Sequence, residues 1–292
     1  MSVCAVVVTH NRRALLVECL AALRSQARPP ERVLIIDNAS TDGTAGLLRD
    51  QHPEVDVVTL ETNQGGAGGF YEGLRRAHAN GFDWIWLMDD DTIPTPTCLK
   101  ELLDAAERVP GQDPALLSSK AVWTDGRLHP MNYQGFERAR TEAVVEASQL
   151  GLMPLRTATF VSLLVNRRAI DAHGLPLRRY FLWSDDIEYT ARILRRDPGY
   201  LVPASVSVHK TSRPHTAIST TGDRFYYHVR NTVYMLRGTA WAPSEKPSVL
   251  FGLLVSVIEF LRFNHFAPGV IAVVLRGLRD GLRPGAPTPA RP

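Results

Sequence analysis

Three carboxylates in a row, Asp89, Asp90 and Asp91, follow directly on the apolar run Trp84 to Met88 (WIWLM). Adjacent carboxylates in a poorly solvated setting repel one another and stay ionised only if a cation or hydrogen-bond donors neutralise them. A hard divalent ion such as Mg2+ or Mn2+ takes oxygen ligands of this kind, usually one or two carboxylates plus the phosphates of a substrate. A solvated acidic turn would use the same residues; the position at the end of a strand favours the metal. A second acidic group, Trp183-Ser184-Asp185-Asp186-Ile187-Glu188, precedes a helix starting near Tyr189. Helix capping accounts for one or two of these carboxylates and does not need all three. In a cleft beside a bound phosphate, one of them could accept a proton from an attacking hydroxyl as a general base.

Three further segments carry polar chemistry. Asp37 to Thr44 (DNASTDGT) ends a second apolar run. Its Asn, Ser, Thr and Asp residues all suit helix caps, and a carboxylate at a second strand's end also suits a nucleoside; spacing leaves both readings open. Asn63 to Phe70 (NQGGAGGF) packs four glycines into five residues. Such a segment lets backbone approach a ligand and frees amides at a helix N-terminus for a phosphate or ribose. It follows the third strand and not the first, and no GK[ST] is present, which argues against a dinucleotide dehydrogenase and a P-loop. His209 follows LVPASVSV, as either a hydrogen-bonded structural residue or a third ligand for Mn2+ beside two carboxylates.

These residues fall at the ends of the elements that must hold them. Val3 to Thr9 (VCAVVVT) is the near-continuous apolar run of a parallel strand buried on both faces. Asn11 to Gln26 places Leu15, Leu16, Leu20 and Leu23 at helical spacing, ended by Pro29 and Pro30. Arg32 to Asp37, Val55 to Leu60 and Trp84 to Met88 read as strands, and Thr41 to Asp50, Phe70 to Ala79 and Thr97 to Val109 as helices. This alternation predicts a twisted, mostly parallel sheet whose ligands lie beyond the carboxyl ends of its strands. Pro110 to Pro154 reads as loops shaping a site. Thr157 to Asn166 reads as a strand, Tyr180 to Arg196 as a strand end, acidic turn and helix, and Leu201 to Val208 as a late strand delivering His209. Residues 283–292 read as disordered.

The chain has 292 residues, 45% of them apolar, which excludes dominant disorder and allows one large or two modest domains. With 33 Lys plus Arg against 30 Asp plus Glu, the formal charge of +3 leaves no basic excess for nucleic acid. Five arginines and two acidic residues lie in 248–292, leaving 28 of each sign before it. The positive surplus therefore belongs to an apolar C-terminal region. Its longest run, Val249 to Leu261, has 13 residues and contains Glu259, short of the roughly 20 needed to span a bilayer. With Phe266 to Leu275 it could lie on a membrane with Arg262, Arg276, Arg279 and Arg283 toward the headgroups, or pack on the preceding sheet domain or a second subunit. Cys4, Cys19 and Cys98 are too few and too dispersed for a disulfide framework, and no signal peptide opens the sequence. The expectation is a cytoplasmic chain, peripheral at the inner membrane face if it meets a membrane.

In order along residues 3 to 235, VVVTHNR (6 to 12), DNASTDGT, NQGGAGG, MDDD, WSDDIEY, His209 and YYHVRN (226 to 231) resemble glycosyltransferase family 2. Within that family they are most similar to bacterial galactofuranosyltransferases, with rhamnosyltransferases next. The resemblance implies an α/β fold of GT-A type, a Rossmann-like sheet flanked by helices, with a C-terminal helical extension. It implies a catalytic domain over 1–235, with a nucleotide-sugar half to about 110 and an acceptor half after it, and a helical region over 236–282. It implies that Asp37 contacts the nucleobase, that Thr9, Asn63, Gly65 and Gly66 line the donor pocket, and that Asp90 faces ribose or sugar. Asp89, Asp91 and His209 would hold Mn2+ or Mg2+ on the diphosphate. Asp186 would deprotonate the acceptor hydroxyl, Asp185 and Glu188 would place hydroxyls, and Trp183 would supply a stacking wall. The implied reaction is an in-line displacement with inversion. It moves a sugar from a nucleotide-sugar donor, UDP-galactofuranose ahead of dTDP-rhamnose, to a polyprenyl-linked or cell-surface glycan. Ser184, between Trp183 and the paired aspartates, departs from the galactofuranosyl pattern.

Two other classes share parts of this set. A sugar nucleotidyltransferase carries a Gly-rich basic loop after its first strand, where this chain has Thr9-His10-Asn11-Arg12-Arg13. A non-catalytic nucleotide-sugar-binding protein would not need both acidic motifs.

Overall fold

The computed structural model describes residues 1–111, 113–132, 134–137, 140–213 and 223–283. The first strands and helices alternate as predicted: β1 (Val3–Thr9), α1 (Arg13–Arg24), β2 (Arg32–Asp37), α2 (Thr44–Gln51), β3 (Asp56–Thr59), α3 (Gly65–Ala79) and β4 (Trp84–Asp89). Strand alternation sends β1 and β4 side chains into two cores. Val3, Ala5 and Val7 join Trp84, Trp86 and Met88 against α1, while Cys4, Val6 and Val8 join Ile85 and Leu87 against α3. Both faces are covered, as a near-continuous apolar strand requires.

After β4 come β5 (Thr92–Pro94), α4 (Cys98–Arg108), β6 (Leu116–Val122), β7 (Gly135–Phe136), α5 (Thr141–Gln149), β8 (Met153–Thr157), β9 (Leu163–Asn166), α6 (Arg167–His173), α7 (Asp185–Leu194) and β10 (Gly199–His209). The 10-stranded sheet runs β3-β2-β1-β4-β9-β6-β10-β8-β7, with β5 paired to β10. Pairing is parallel from β3 to β4, as expected; beyond β4 the antiparallel strand β9 is inserted and the sheet becomes mixed.

Several expectations need correction here. Residues 110–154, read as loops, hold β6, β7, α5 and the start of β8. β6 was masked by Ser118 and Ser119, whose hydroxyls are buried yet bonded to Gln134, Ser162 and Ser205. The strand expected over 157–166 is two strands, β8 ending at Thr157 and β9 starting at Leu163. Tyr180 lies in a short 3-10 turn, Arg178–Tyr180, and not at a strand end.

The chain closes with α8 (Arg224–Arg237), α9 (Lys246–Phe263) and α10 (Pro268–Leu282), the last two covering the expected helices. Phe225, Val229 and Val233 of α8 pack with Phe260 and Val274, and the rings of Phe225 and Phe260 stack at 3.7 Å. The domain boundary expected at 235 falls inside α8. Of the segment expected to be disordered, residues 284–292 lie outside the described residues.

Candidate active site

β4 ends at Asp89, and Asp90 and Asp91 form the tight turn into β5. Both are buried, so their charges need partners. The partners come from the end of β1, the neighbouring parallel strand. Thr9 Oγ1 donates to Asp90 Oδ2 at 2.8 Å, and the backbone N–H of His10 approaches the same oxygen at 3.4 Å. Arg12 Nη1 reaches Asp90 Oδ1 at 3.4 Å and bonds Asp91 Oδ2. The hydroxyl of Thr9, expected to line the donor pocket, is therefore committed to Asp90.

His209 is in register with Thr92 across the β10–β5 pairing, one residue from Asp91. Its Nε2 stands 3.2 Å from Asp91 Oδ1, a buried oxygen with no hydrogen bond among the described residues. Asn132 fixes the ring. Its Nδ2 donates to Thr159 Oγ1 at 3.1 Å, so its Oδ1, 2.7 Å from His209 Nδ1, accepts the ring proton there. The lone pair of Nε2 then faces a carboxylate oxygen, an arrangement that calls for a proton or a metal ion between them. Among the described residues no three His, Cys, Asp or Glu side chains form a group able to hold a metal by themselves. Asp89 is still in β4, paired with Val8, while Asp91 and His209 meet beyond the turn.

On the other side of β1, Asp37 closes β2 and is fully buried. Its Oδ1 accepts from the Ser40 N–H at 3.0 Å, whereas Oδ2 has no hydrogen-bond partner among the described residues. Capping falls instead to Asp42, which accepts from the backbone of Thr44 at 3.1 Å and of Arg13 at 3.0 Å. Asn38 bridges to the start of α3, donating to the Gly65 carbonyl at 2.9 Å and accepting from the Gln64 N–H at 2.8 Å.

The glycine segment differs from its expected role. α3 starts at Gly65, five residues earlier than predicted, and Asn63 Oδ1 caps it by accepting from the Gly65 N–H at 2.8 Å. Gly65 adopts φ +70°, and a Cβ there would lie 1.9 Å from the Phe181 carbonyl oxygen, which itself accepts from the Ala67 N–H at 3.2 Å. A Cβ on Gly69 would lie 2.5 Å from Val8. Gly65 and Gly69 are packed against protein backbone and strand, while at Gly66 a Cβ would face open space.

Phe181 begins the segment that carries the second acidic group. Phe181, Trp183 and Ser184 all have φ of 64°, a costly conformation for residues with side chains. The segment is held by α8. Asn231, fully buried, shares its Nδ2 among the carbonyls of Tyr180 (3.1 Å), Leu182 (2.8 Å) and Trp183 (2.8 Å). Arg230 adds a bond to the Tyr180 carbonyl at 2.6 Å. α7 then opens with Asp185, buried, and Asp186, partly exposed, whose Oδ1 accepts from the Ile187 N–H at 2.8 Å. Glu188 is not available to an acceptor. Both of its oxygens bond Arg192, at 2.9 and 3.2 Å, and Arg192 ties α7 to the carbonyls of His173 and Leu175.

Electrostatics separate these carboxylates. Burial pushes Asp90 up to about 6 despite Arg12 and the bonds from Thr9 and His10. Asp89 is raised by burial, by Asp91 and Asp90, and to a smaller extent by Asp185. Burial works against Asp91 too, but His209 and Arg12 outweigh it and hold that carboxyl below its ordinary value. Asp186 is pushed up to about 6 by burial against backbone donors, a value suited to a base near neutral pH.

Arg12, Asn132 and Asn231 had no assigned role in the sequence. Arg12 and Asn231 sat inside quoted motifs, and the need of three adjacent carboxylates for a cation pointed to an arginine close by. Asn132 lay in a segment read as loop and gave no signal.

The likeness to known proteins agrees with this architecture. The family described as Glycosyl transferase family 2 matches residues 4–146. Galactofuranosyltransferase GlfT1 of Mycolicibacterium smegmatis is 31% identical over 250 residues, 80% of this chain and 82% of that protein. Undecaprenyl-phosphate mannosyltransferase of Micrococcus luteus is 29% identical over 210 residues, 67% of this chain and 80% of that one. Among solved structures, S. aureus TarS 1-349 in complex with UDP-GlcNAc superposes with a TM-score of 0.66 at 16% identity, covering 96% of this chain and 80% of that one, a likeness of fold. The expected α/β architecture of GT-A type is thereby met. With GlfT1 matched over most of both lengths, this chain is a glycosyltransferase and belongs to glycosyltransferase family 2.

Proposed function

We propose that the protein is an inverting, metal-assisted galactofuranosyltransferase that uses UDP-galactofuranose and a glycan hydroxyl. The observation that carries this reading is the Asp91–His209 pair at the end of the sheet. Beside it, Asp37 neighbours Asn38, which bonds Gly65; Gly65 abuts Phe181; and the segment after Phe181 leads to Asp185 and Asp186 at the start of α7. In this reading the nucleobase would lie toward Asp37, the cation at Asp91 and His209, and the base would be Asp186.

The unpaired, buried Oδ2 of Asp37 suits an N–H donor such as that of a uracil ring. Asp91 and His209 would hold a divalent cation, which when bound neutralises charge on the leaving diphosphate. Arg12 keeps the Asp90–Asp91 turn in place and supplies fixed positive charge. Asp186, ionised above about pH 6, would take the proton from the acceptor hydroxyl as it attacks the anomeric carbon. The buried Asp185 would place acceptor or donor hydroxyls, and Trp183 offers a partly exposed wall for the acceptor. Resemblance to GlfT1 over 82% of its length supports galactofuranose as the sugar.

The test is a panel of nucleotide sugars with Mn2+ and saccharide acceptors, followed by nucleotide release and product stereochemistry. UDP release with UDP-galactofuranose and an inverted product supports the reading. Preference for dTDP-rhamnose moves the donor assignment, pyrophosphate release indicates nucleotidyl transfer, and release of neither indicates binding alone.

A further inference from the structure

α9 and α10 carry an apolar surface that the rest of the described chain leaves uncovered. On α9, Leu250, Phe251, Leu254, Val255 and Ile258 recur at helical spacing along one stripe, with Phe251 68%, Leu254 52% and Ile258 53% exposed. The opposite stripe, Leu253, Ser256 and Phe260, is buried against α8. Phe263 and Phe266 project at the corner between the two helices, and Leu275 of α10 is 59% exposed. Single exposed apolar residues are ordinary; a stripe along α9, with Phe263, Phe266 and Leu275 also exposed, is not.

The charges around it choose the occupant. Arg262 follows the α9 stripe, and Arg276, Arg279 and Arg283 line α10 beside Leu275 and Leu282. Arg276 pairs with Asp223 at 2.6 Å, and Arg279 and Arg283 share Asp280; with exposed Glu259 counted, four arginines stand against three carboxylates, a small positive excess. Two copies meeting through this face would bring arginine rims together, whereas an anionic bilayer offers phosphates to the rims and an acyl boundary to the stripe. No helix among the described residues is long and apolar enough to cross a membrane, so these two can lie on one but not span it.

We propose that the α9–α10 face seats the protein on an anionic lipid surface. The stripe from Leu250 to Ile258, with Phe263, Phe266 and Leu275, enters the acyl boundary, and Arg262, Arg276, Arg279 and Arg283 meet phosphate headgroups. The seat goes beyond the proposed transfer reaction and stands independently of it. It also has a route to the cleft. Val229 and Val233 of α8 pack on this helical pair, while Asn231 and Arg230 of the same helix hold the segment before Asp185. One helix, about 10 Å across, separates the lipid seat from the acceptor side, which suits an acceptor carried in the same membrane.

The experiment is vesicle flotation of the full chain with phosphatidylcholine alone and with added phosphatidylglycerol, across a salt series, alongside analytical ultracentrifugation without lipid. The expected result is a monomer that floats with the anionic vesicles and is released by salt. Combined substitution F251S, L254S and I258S, all on exposed positions, should weaken flotation about tenfold or more with an unchanged melting temperature. R276Q and R279Q should weaken it about fivefold each at low salt. No flotation with anionic vesicles at low salt, or flotation unaltered by the apolar triple substitution, overturns the proposal. A lipid-free dimer that the triple substitution splits, with no vesicle binding, overturns it in favour of a second copy. Because the readout is lipid binding, loss of the transferase assignment would leave this result standing, and the reverse.

Discussion

Asn231 supports Trp183 from a neighbouring helix, its buried Nδ2 donating to the Trp183 carbonyl at 2.8 Å while also reaching Leu182 and Tyr180. Three left-handed backbone residues in four would not persist without such an over-determined hold. Asn231→Ala should therefore lower kcat about 100-fold through misplacement of Asp186, with the donor KM within about twofold of the parent. Steady-state kinetics checks this; a KM effect with kcat intact would place Asn231 on the donor side.

Asp186→Asn should lower turnover at least about 100-fold and leave donor binding unchanged. In the parent, kcat/KM should rise through about pH 6 and level off above it. The stability effect has the opposite sign to the usual carboxylate. A folded-state value above the unfolded one means the folded chain bears a cost that grows as pH rises from about 4 to about 6 and is complete above that. Asp186→Asn should thus melt higher than the parent, by up to about 3 kcal/mol at pH 7.5 and by little at pH 4. Melting curves across that range check the sign; equal stability at both pH values would contradict it.

Removing divalent ions with EDTA should abolish transfer, and Mn2+ or Mg2+ should restore it. A readout free of turnover is the melting temperature with UDP present. Mn2+ should raise it in the parent and fail to do so in Asp91→Ala and His209→Ala. Activity indifferent to EDTA would remove both residues from a metal role.

Asp37→Ala takes away the one buried carboxylate oxygen left open at the end of β2. Affinity for UDP should fall about 10- to 100-fold, with discrimination against other bases falling alongside it. Titration calorimetry with UDP and its cytidine and guanosine counterparts checks both effects, and an unchanged base preference would refute the assignment.

Gly65→Ala and Gly66→Ala form a matched pair. At Gly65 a Cβ would meet the Phe181 carbonyl at 1.9 Å with φ at +70°, whereas at Gly66 nothing lies within 4 Å. The first should cost more than about 2 kcal/mol of stability, and the second should cost nothing measurable or stabilise α3 slightly. Chemical denaturation distinguishes them.

Features that depend on local pattern could be read directly in the sequence. The β1 and β4 strands announced themselves through apolar runs, and the acidic turn through its position after WIWLM. What escaped depends on partners distant in sequence. An asparagine looks the same whether it caps, solvates or clamps; Asn132 and Asn231 acquire meaning only from His209 and Trp183, 77 and 48 residues away. The glycines at 65 and 69 signalled a close approach, but sequence cannot say whether ligand or protein makes it. Glu188 was legible in retrospect, because Arg192 stands four residues on, the spacing of a helical ion pair.

The register between β5 and β10 has a kinetic side. His209 lies opposite Thr92, so the Asp91–His209 pair depends on a contact between residues 118 apart in sequence, while Thr9, Asp37 and Asp90 come together within the first ninety-one residues. During synthesis the proposed base site at Asp37 can form as soon as β1, β2 and β4 pair, but the Asp91–His209 pair cannot exist before residue 209 emerges and docks. On the proposed reading, a chain stopped before residue 209 would bind nucleotide without the cation pair, and transfer would need α8, with Asn231, to dock after that.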